Sequence, residues 1–238
     1  MQNNLKIMIT GASRGIGKAI AKKVSKRADK LFIISKNNTT LNKTVKEIET
    51  FFNGEIKYTN IDQADAKKSS VVLGKWVKNS TDYLDAIILC AGNFTEGKLQ
   101  EINNDDFMKN LNTNFLFNYF IVNELIPLLK KSKYPKIIII GSTAAYNSYS
   151  VPTYSVAKWA LRGYAKNLRE ELKNEGIGVT FISPGPTLTD MWADVELPKD
   201  RLLDPNDIAI IVDELFELSR QAVVEELIIN PMLGDIDE

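Results

Sequence analysis

Histidine is missing from this 238-residue chain, so the side chain that most often carries protons near neutral pH is unavailable to it. Cysteine occurs once, at Cys90, which excludes an internal disulfide and fits a reducing compartment. Net charge is lacking as well. Thirty basic residues balance thirty acidic ones, leaving no global field to attract nucleic acid or an anionic membrane. No apolar run approaches the ~18 residues that suggest a membrane span. The opening "MQNNLKIMIT" runs into a strand-like segment without a signal-peptide pattern. Low-complexity segments, fixed-period repeats and Pro/Gly/Ser-rich linkers are absent too, so one domain over residues 1–238 is expected, located in the cytoplasm, with no nucleic-acid or membrane partner and no metal.

What is present is an alternation. "LKIMIT" (5–10), "LFIIS" (31–35), "EIKYTN" (55–60), "LDAIILC" (84–90), "KIIII" (136–140), "GVTFIS" (178–183) and "EELIIN" (225–230) read as short apolar strands bounded by turn signals. Helical periodicities lie between them. Ile16, Ile20 and Val24 share one face at four-residue spacing, with Lys18, Lys22, Lys23 and Lys26 mostly turned away. Strands alternating with helices imply an α/β fold whose mostly parallel, seven-stranded sheet is covered on both faces.

The first turn reads "TGASRGIG" (10–17). Gly11, Gly15 and Gly17 follow strand one and open helix one, where glycines allow close backbone approach and the helix N-terminus offers free N–H groups to a pyrophosphate. Far downstream, "PTYSVAKWAL" (152–161) sets Tyr154 and Lys158 four residues apart. A lysine at i+4 lies on the same helix face, about 5–6 Å away between Cβ atoms. Its charge favours phenolate, so the tyrosine can exchange protons with a carbonyl or alcohol oxygen without help from histidine.

"TGxxxGxG" with a later "YxxxK" resembles the short-chain dehydrogenase/reductase family, and further landmarks follow in that family's order over roughly residues 5–190. The resemblance implies a single doubly wound Rossmann-type domain and a nicotinamide dinucleotide cofactor. It implies a catalytic set of Asn114 (in "NLNTNFLF"), Ser142 (in "IIIIGSTAAY"), Tyr154 and Lys158, in which Ser142 holds the substrate oxygen and Lys158 also binds the nicotinamide ribose. Cofactor contacts are implied for Gly11, Ser13, Arg14, Gly15, Ile16 and Gly17, for Asp62 at the adenine, and for Ala91 and Gly92. Pro184, Gly185, Thr187 and Thr189 in "PGPTLT" are implied at the nicotinamide carboxamide, and Tyr154 and Lys158 touch the cofactor too.

Two departures stand out. "LCAG" (89–92) replaces the family's "NNAG", which questions local sheet architecture more than catalysis, and Cys90 reads as a small buried apolar residue. The tail "ELIINPMLGDIDE" replaces the usual glycine-rich ending, which family members often use in a tetramer interface. A homodimer or homotetramer is expected, with the helices around residues 105–131 and 152–174 as pairing surfaces. "NTNFLFNYFIVNELIPLL" (112–129) is apolar over too much of its circumference for a one-sided surface helix.

Cofactor choice turns on the end of strand two. An acid there would favour NAD by binding the ribose hydroxyls. The strand instead ends Ser35, Lys36, Asn37, with no acid until Glu47. Lys36 and Arg14 supply cations for a 2′-phosphate, so NADP(H) is expected over NAD(H). A short lid with Met191, Trp192 and Leu197 suggests an open apolar pocket for a small carbonyl or alcohol substrate. The alternative to an enzyme is a nucleotide-binding regulatory protein derived from the same family. Retention of serine, tyrosine and lysine in register argues for the enzyme.

Overall fold

The computed structural model describes residues 4–94, 98–147, 151–190, 198 and 201–236. Seven strands form one sheet: β1 (Leu5–Thr10), β2 (Ala28–Ser35), β3 (Glu55–Asn60), β4 (Ala86–Leu89), β5 (Lys136–Ile140), β6 (Gly178–Pro184) and β7 (Glu226–Ile229). Their order is β3-β2-β1-β4-β5-β6-β7, and each neighbouring pair is parallel. The sheet is therefore parallel throughout the described residues, not merely for the most part. The helices are α1 (Gly15–Val24), α2 (Asn38–Glu49), α3 (Ala66–Lys78), α4 (Asn104–Leu111), α5 (Phe117–Leu129), α6 (Pro152–Leu172) and α7 (Pro205–Glu214).

Period-two alternation divides the core between the two faces of the sheet. Met8 of β1 and Ile137 and Ile139 of β5 pack towards α3, α5 and α6. Ile7, Ile9, Ile138 and Ile140 point the other way, into the layer made by α1 and α7. The central strands are apolar on both faces because helices cover both, as parallel strands require. On α1, Ile20 and Val24 are fully buried, while Lys18 and Lys22 turn outwards and meet Glu47 of α2 at 2.8 and 3.2 Å.

Sequential strands run β1 to β3 in one direction and β4 to β7 in the other, so the order reverses between β1 and β4. Ligands of doubly wound sheets bind outside the carboxyl ends of the strands at such a reversal. Thr10 of β1 is in register with Leu89 of β4, which puts the glycine turn and the "LCAG" segment side by side there.

Candidate active site

The glycine turn is built for close approach. Gly11 has φ +70°, and a Cβ added there would lie 2.7 Å from the Ala91 Cα, so any larger residue would push the two strand ends apart. Helix α1 then starts at Arg14 without any side-chain cap, whereas Asn37, Asp65, Asn103 and Asp204 cap α2, α3, α4 and α7. Its first N–H groups are thus left for an outside acceptor. Ser13 is buried and its hydroxyl lies 2.6 Å from that of Ser35 at the end of β2. Thr189 reaches over the same turn: a Cβ on Gly15 would come within 2.9 Å of its methyl group. Ile16, half-buried, and Gly17, buried, begin α1 beneath it.

"LCAG" keeps its place in the sheet by a substitute tie. The Thr10 hydroxyl accepts from both the Cys90 and the Ala91 N–H, at 3.2 and 3.3 Å. That bridges β1 to β4 where the family pattern would use an asparagine. Cys90 is half-buried, and burial pushes its thiol up to about 12, which leaves it protonated and inert.

Asn114 is fully buried in a π-turn, Asn112–Leu116, that interrupts the helix between α4 and α5. Such turns are frequent at functional sites. Its amide donates to the side chain of Asn93 at 2.8 Å and to that of Asn110 at 3.1 Å, and its oxygen accepts from the Asn93 N–H at 3.2 Å. The other asparagines crowding this segment have separate tasks. Asn118 donates to the Asn114 carbonyl at 2.9 Å, and Asn112 donates to the Ala64 carbonyl at 3.0 Å.

Ser142 lies two residues past the end of β5 and caps a 3₁₀ turn, accepting from the Ala144 N–H at 3.1 Å. Ser155 fastens the first turn of α6 to that same turn by donating to the Ala144 carbonyl at 2.9 Å. Beside it Tyr154 is half-buried, with its ring edge-on to Phe94, 5.8 Å between centroids. Lys158 is only 4% exposed. Its ammonium donates to the Ile140 carbonyl at 3.2 Å and lies 5.3 Å from the centre of the Tyr154 ring. A Cβ on Gly92 would fall 2.7 Å from the Asn114 oxygen and 3.7 Å from the Lys158 nitrogen. Gly92, Asn114, Tyr154 and Lys158 therefore converge, and Ile140 ties them to Ser142.

The remaining sequence candidates stand around this centre. Pro184 and Gly185 leave β6 with the Gly185 N–H bonded to the Ile229 carbonyl at 2.8 Å, and Thr187 bridges to Leu203. Lys36 and Asp62 sit at the adjacent ends of β2 and β3. In the sequence the two cations Lys36 and Arg14 have no acid nearby; the fold brings one to each. Lys36 meets Asp62 at 3.0 Å and Arg14 meets Asp190 at 3.2 Å. The Ala64 N–H, and after it Lys36, hold the Asp62 carboxyl below the ordinary aspartate value against the opposing effect of burial. Met191, Trp192 and Leu197 lie outside the described residues. Asn93, Asn110 and Thr10 were not among the sequence candidates. The run of asparagines was the signal for Asn110; for Asn93 and Thr10 only their adjacency to "LCAG" and "TG" pointed the way.

Comparison with known proteins agrees with this fold. Over 98% of both chains, this protein is 28% identical to the sepiapterin reductase of Chlorobaculum tepidum. It is also 28% identical to the 3-dehydrosphinganine reductase of Danio rerio, over 81% of this chain and 59% of that one. Among solved structures, the alcohol dehydrogenase of Thermococcus sibiricus complexed with 5-hydroxy-NADP superposes with a TM-score of 0.88 at 24% identity, covering 98% of this chain and 99% of the other. A metagenomic short-chain oxidoreductase in complex with NADP gives 0.84 at 23%, over 98% and 99%. The short chain dehydrogenase family model matches residues 6–200, from the first strand past the "PGPTLT" segment, and on that span this chain belongs to the short-chain dehydrogenase family.

Proposed function

We propose that this protein is an NADP(H)-preferring oxidoreductase that interconverts a carbonyl and a secondary alcohol on a small molecule, with Tyr154 as acid and base. One observation carries the reading: the buried Lys158 ammonium is anchored on the Ile140 carbonyl and faces the Tyr154 ring at 5.3 Å. A cation held there compensates the negative charge that forms on the tyrosine oxygen as its proton leaves. Ser142 orients the substrate oxygen, and Asn114, locked by Asn93 and Asn110, holds the loop that follows "LCAG". The site has what a nicotinamide dinucleotide needs in the uncapped α1 terminus and the glycine cradle, and the bound nicotinamide supplies or accepts the hydride. Gly11 to Gly17 would hold its pyrophosphate, Ala91 and Gly92 its middle, and Pro184 to Thr189 its nicotinamide end. The names of the two reductase relatives support the reduction of a carbonyl.

The preference for NADP(H) rests on Lys36 and Arg14. Their present partners do not weaken it. Both ion pairs are exposed, with side chains more than half accessible, and pairs of that kind are worth only ~0–1 kcal/mol. A 2′-phosphate dianion displaces them without a large penalty. A homo-oligomer in the cytoplasm completes the reading, supported by the exposed apolar residues of α5 and α6 and by the single reduced cysteine.

The test is Tyr154→Phe. With a panel of aldehydes, ketones and alcohols followed by nicotinamide absorbance, turnover should fall ~10²–10⁴-fold while cofactor binding and thermal midpoint stay unchanged. Wild-type turnover in the variant would overturn the assignment of the acid.

A further inference from the structure

The carboxyl ends of the strands hold the candidate active site; their amino ends hold a different feature. Lys136 opens β5 and Gly178 opens β6, in register with each other. Beside them is an open cleft of about 210 Å³ whose lining includes Tyr134, Lys136, Arg169, Lys173, Ser219 and Arg220. Among the described residues four cations line this cleft and no acid does, although the chain as a whole is balanced in charge. Two of the four have carboxylates elsewhere: Arg169 pairs with Glu225 at 3.0 Å, and Lys173 pairs with Glu170. The other two do not. The half-buried Lys136 ammonium has no hydrogen-bond or ion-pair partner among the described residues, and burial alone pushes it below the ordinary lysine value. Among the described residues Arg220 makes only a ring contact, 5.8 Å from the centre of Tyr134. A wider cleft of about 860 Å³ continues from Tyr134, Ser219 and Arg220 past Tyr83, Lys131 and Lys133. Its carboxylates are engaged, Asp85 with the Lys6 N–H and the Ser132 hydroxyl, Glu217 with Arg27.

We propose that this cleft is a second ligand site, taking a small molecule with a phosphate or diphosphate group. A half-buried ammonium without a counter-charge is unfavourable, and an anion entering the cleft relieves it. Lys136 offers a point charge and Arg220 a planar fork, the two geometries that bind phosphate oxygens with charge-assisted hydrogen bonds. The Tyr134 and Ser219 hydroxyls add neutral donors, and the wider cleft has room for the rest of the molecule. The cations converge on a concavity, which suits a small anion better than a lipid surface. One force opposes: α6 ends here, and the end of a helix is partly negative. Its last carbonyls are engaged, however, Leu172 by the Ile177 N–H at 3.3 Å and Lys173 by the Gly176 N–H at 3.1 Å. A partial charge does not outweigh the two cations, Lys136 and Arg220, that have no carboxylate among the described residues. At ~3.3 Å per residue, Lys136 lies ~13 Å along β5 from Ile140, the anchor of Lys158, so this ligand does not compete for space with the active site.

Amide NMR of the full chain, titrated with inorganic pyrophosphate at constant ionic strength, locates binding without any assay of activity. Saturable shifts should appear at the amides of residues 176–178 and 219–223, with a Kd of about a millimolar or tighter. The exposed Arg220→Gln, which cannot disturb the core, and Lys136→Gln should each weaken them about tenfold. Pyrophosphate at the α1 terminus reads out separately at Gly15 and Gly17 and should be indifferent to both variants. Shifts confined to Gly15 and Gly17, or cleft shifts that persist unweakened in both variants, would overturn the site. So would binding to phosphatidylserine vesicles that depends on Lys136 and Arg220 while pyrophosphate leaves the cleft amides unmoved.

Discussion

At the scale of one side chain, Lys36 carries the proposed preference for NADP(H). It directly follows β2 and meets Asp62, two residues past the end of the neighbouring β3, close enough to exchange that carboxylate for a phosphate. Lys36→Asp should place two acids at the adenosine end and lower kcat/KM with NADPH relative to NADH by about tenfold or more. Equal use of both cofactors by the wild type would remove the preference altogether. Gly92 is a second decisive position. A methyl group there would meet the Asn114 oxygen at 2.7 Å, and that oxygen cannot retreat because it holds the Asn93 N–H. Gly92→Ala should therefore shift the loop carrying Asn93. A displacement of ~1 Å near a reacting centre costs up to ~10²-fold in rate. Steady-state turnover alongside a melting curve separates this from loss of fold; unchanged turnover would show that Asn114 does not position the site.

Among the elements, α6 does the most, because one helix carries the Tyr154–Lys158 pair and also fastens the sheet edge. Arg162, two turns from Tyr154, meets both oxygens of Glu226 on β7 at 3.1 and 3.2 Å and lies 3.9 Å from the centre of the Tyr146 ring. Tyr146 belongs to the turn after Ser142, so the trio clamps β7, α6 and the serine turn together. Burial pushes the Glu226 carboxyl up, but Arg162 and then Lys166 outweigh it and leave it below the ordinary value of 4.5. A depressed folded value means that the stabilisation is complete above the unfolded value and is lost as pH falls through the folded one. Glu226→Gln should cost ~1–2 kcal/mol at pH 7, or ~2–8 °C in Tm for a chain of this size. The gap to wild type should close as pH falls below the ordinary value of 4.5 and through the lower folded one. A gap of constant size from pH 7 to pH 3 would mean that the charge on Glu226 contributes nothing.

Taken whole, the molecule leaves part of its apolar surface unburied. Met108, Tyr119, Val156 and Trp159, on α4, α5 and α6, are each 40–48% exposed, and among the described residues nothing outside the helix's own backbone stands within 4 Å of where a Cβ on Gly163 would be. Val156, Trp159 and Gly163 fall at helical spacing along α6, a stripe with a bare backbone position where another helix can come close. The circumference of residues 112–129 divides accordingly: Phe117, Ile121, Val122, Leu125, Leu128 and Leu129 are buried, while Phe115, Leu116 and Tyr119 remain partly open. Two copies paired about a two-fold axis would cover both stripes. Light scattering should give at least twice the 26.7 kDa chain mass, and Trp159→Glu should reduce it to the single mass. A monomeric wild type at micromolar concentration would end the claim.

The alternation of elements, the glycine turn and the "YxxxK" pair were legible from the chain alone, because period, turn chemistry and i to i+4 spacing are local properties. Those local signals carried the fold class, the strand set to within a few residues and the pairing of Tyr154 with Lys158, whereas Ser142 entered as a candidate only through the family resemblance. Contacts between distant segments belonged to tertiary structure. Only packing brings Asp62 to Lys36 and Asp190 to Arg14, 26 and 176 positions apart, and so gives acids to two cations that stand alone in sequence. Packing also sorts a run of interchangeable-looking asparagines, sending Asn112 to Ala64 and Asn118 to Asn114 while Asn93 and Asn110 lock Asn114. The Thr10 hydroxyl takes over the tie lost in "LCAG" for the same reason: Thr10 and Cys90 are 80 residues apart along the chain but stand at neighbouring strand ends, and register, not sequence proximity, sets which groups can meet.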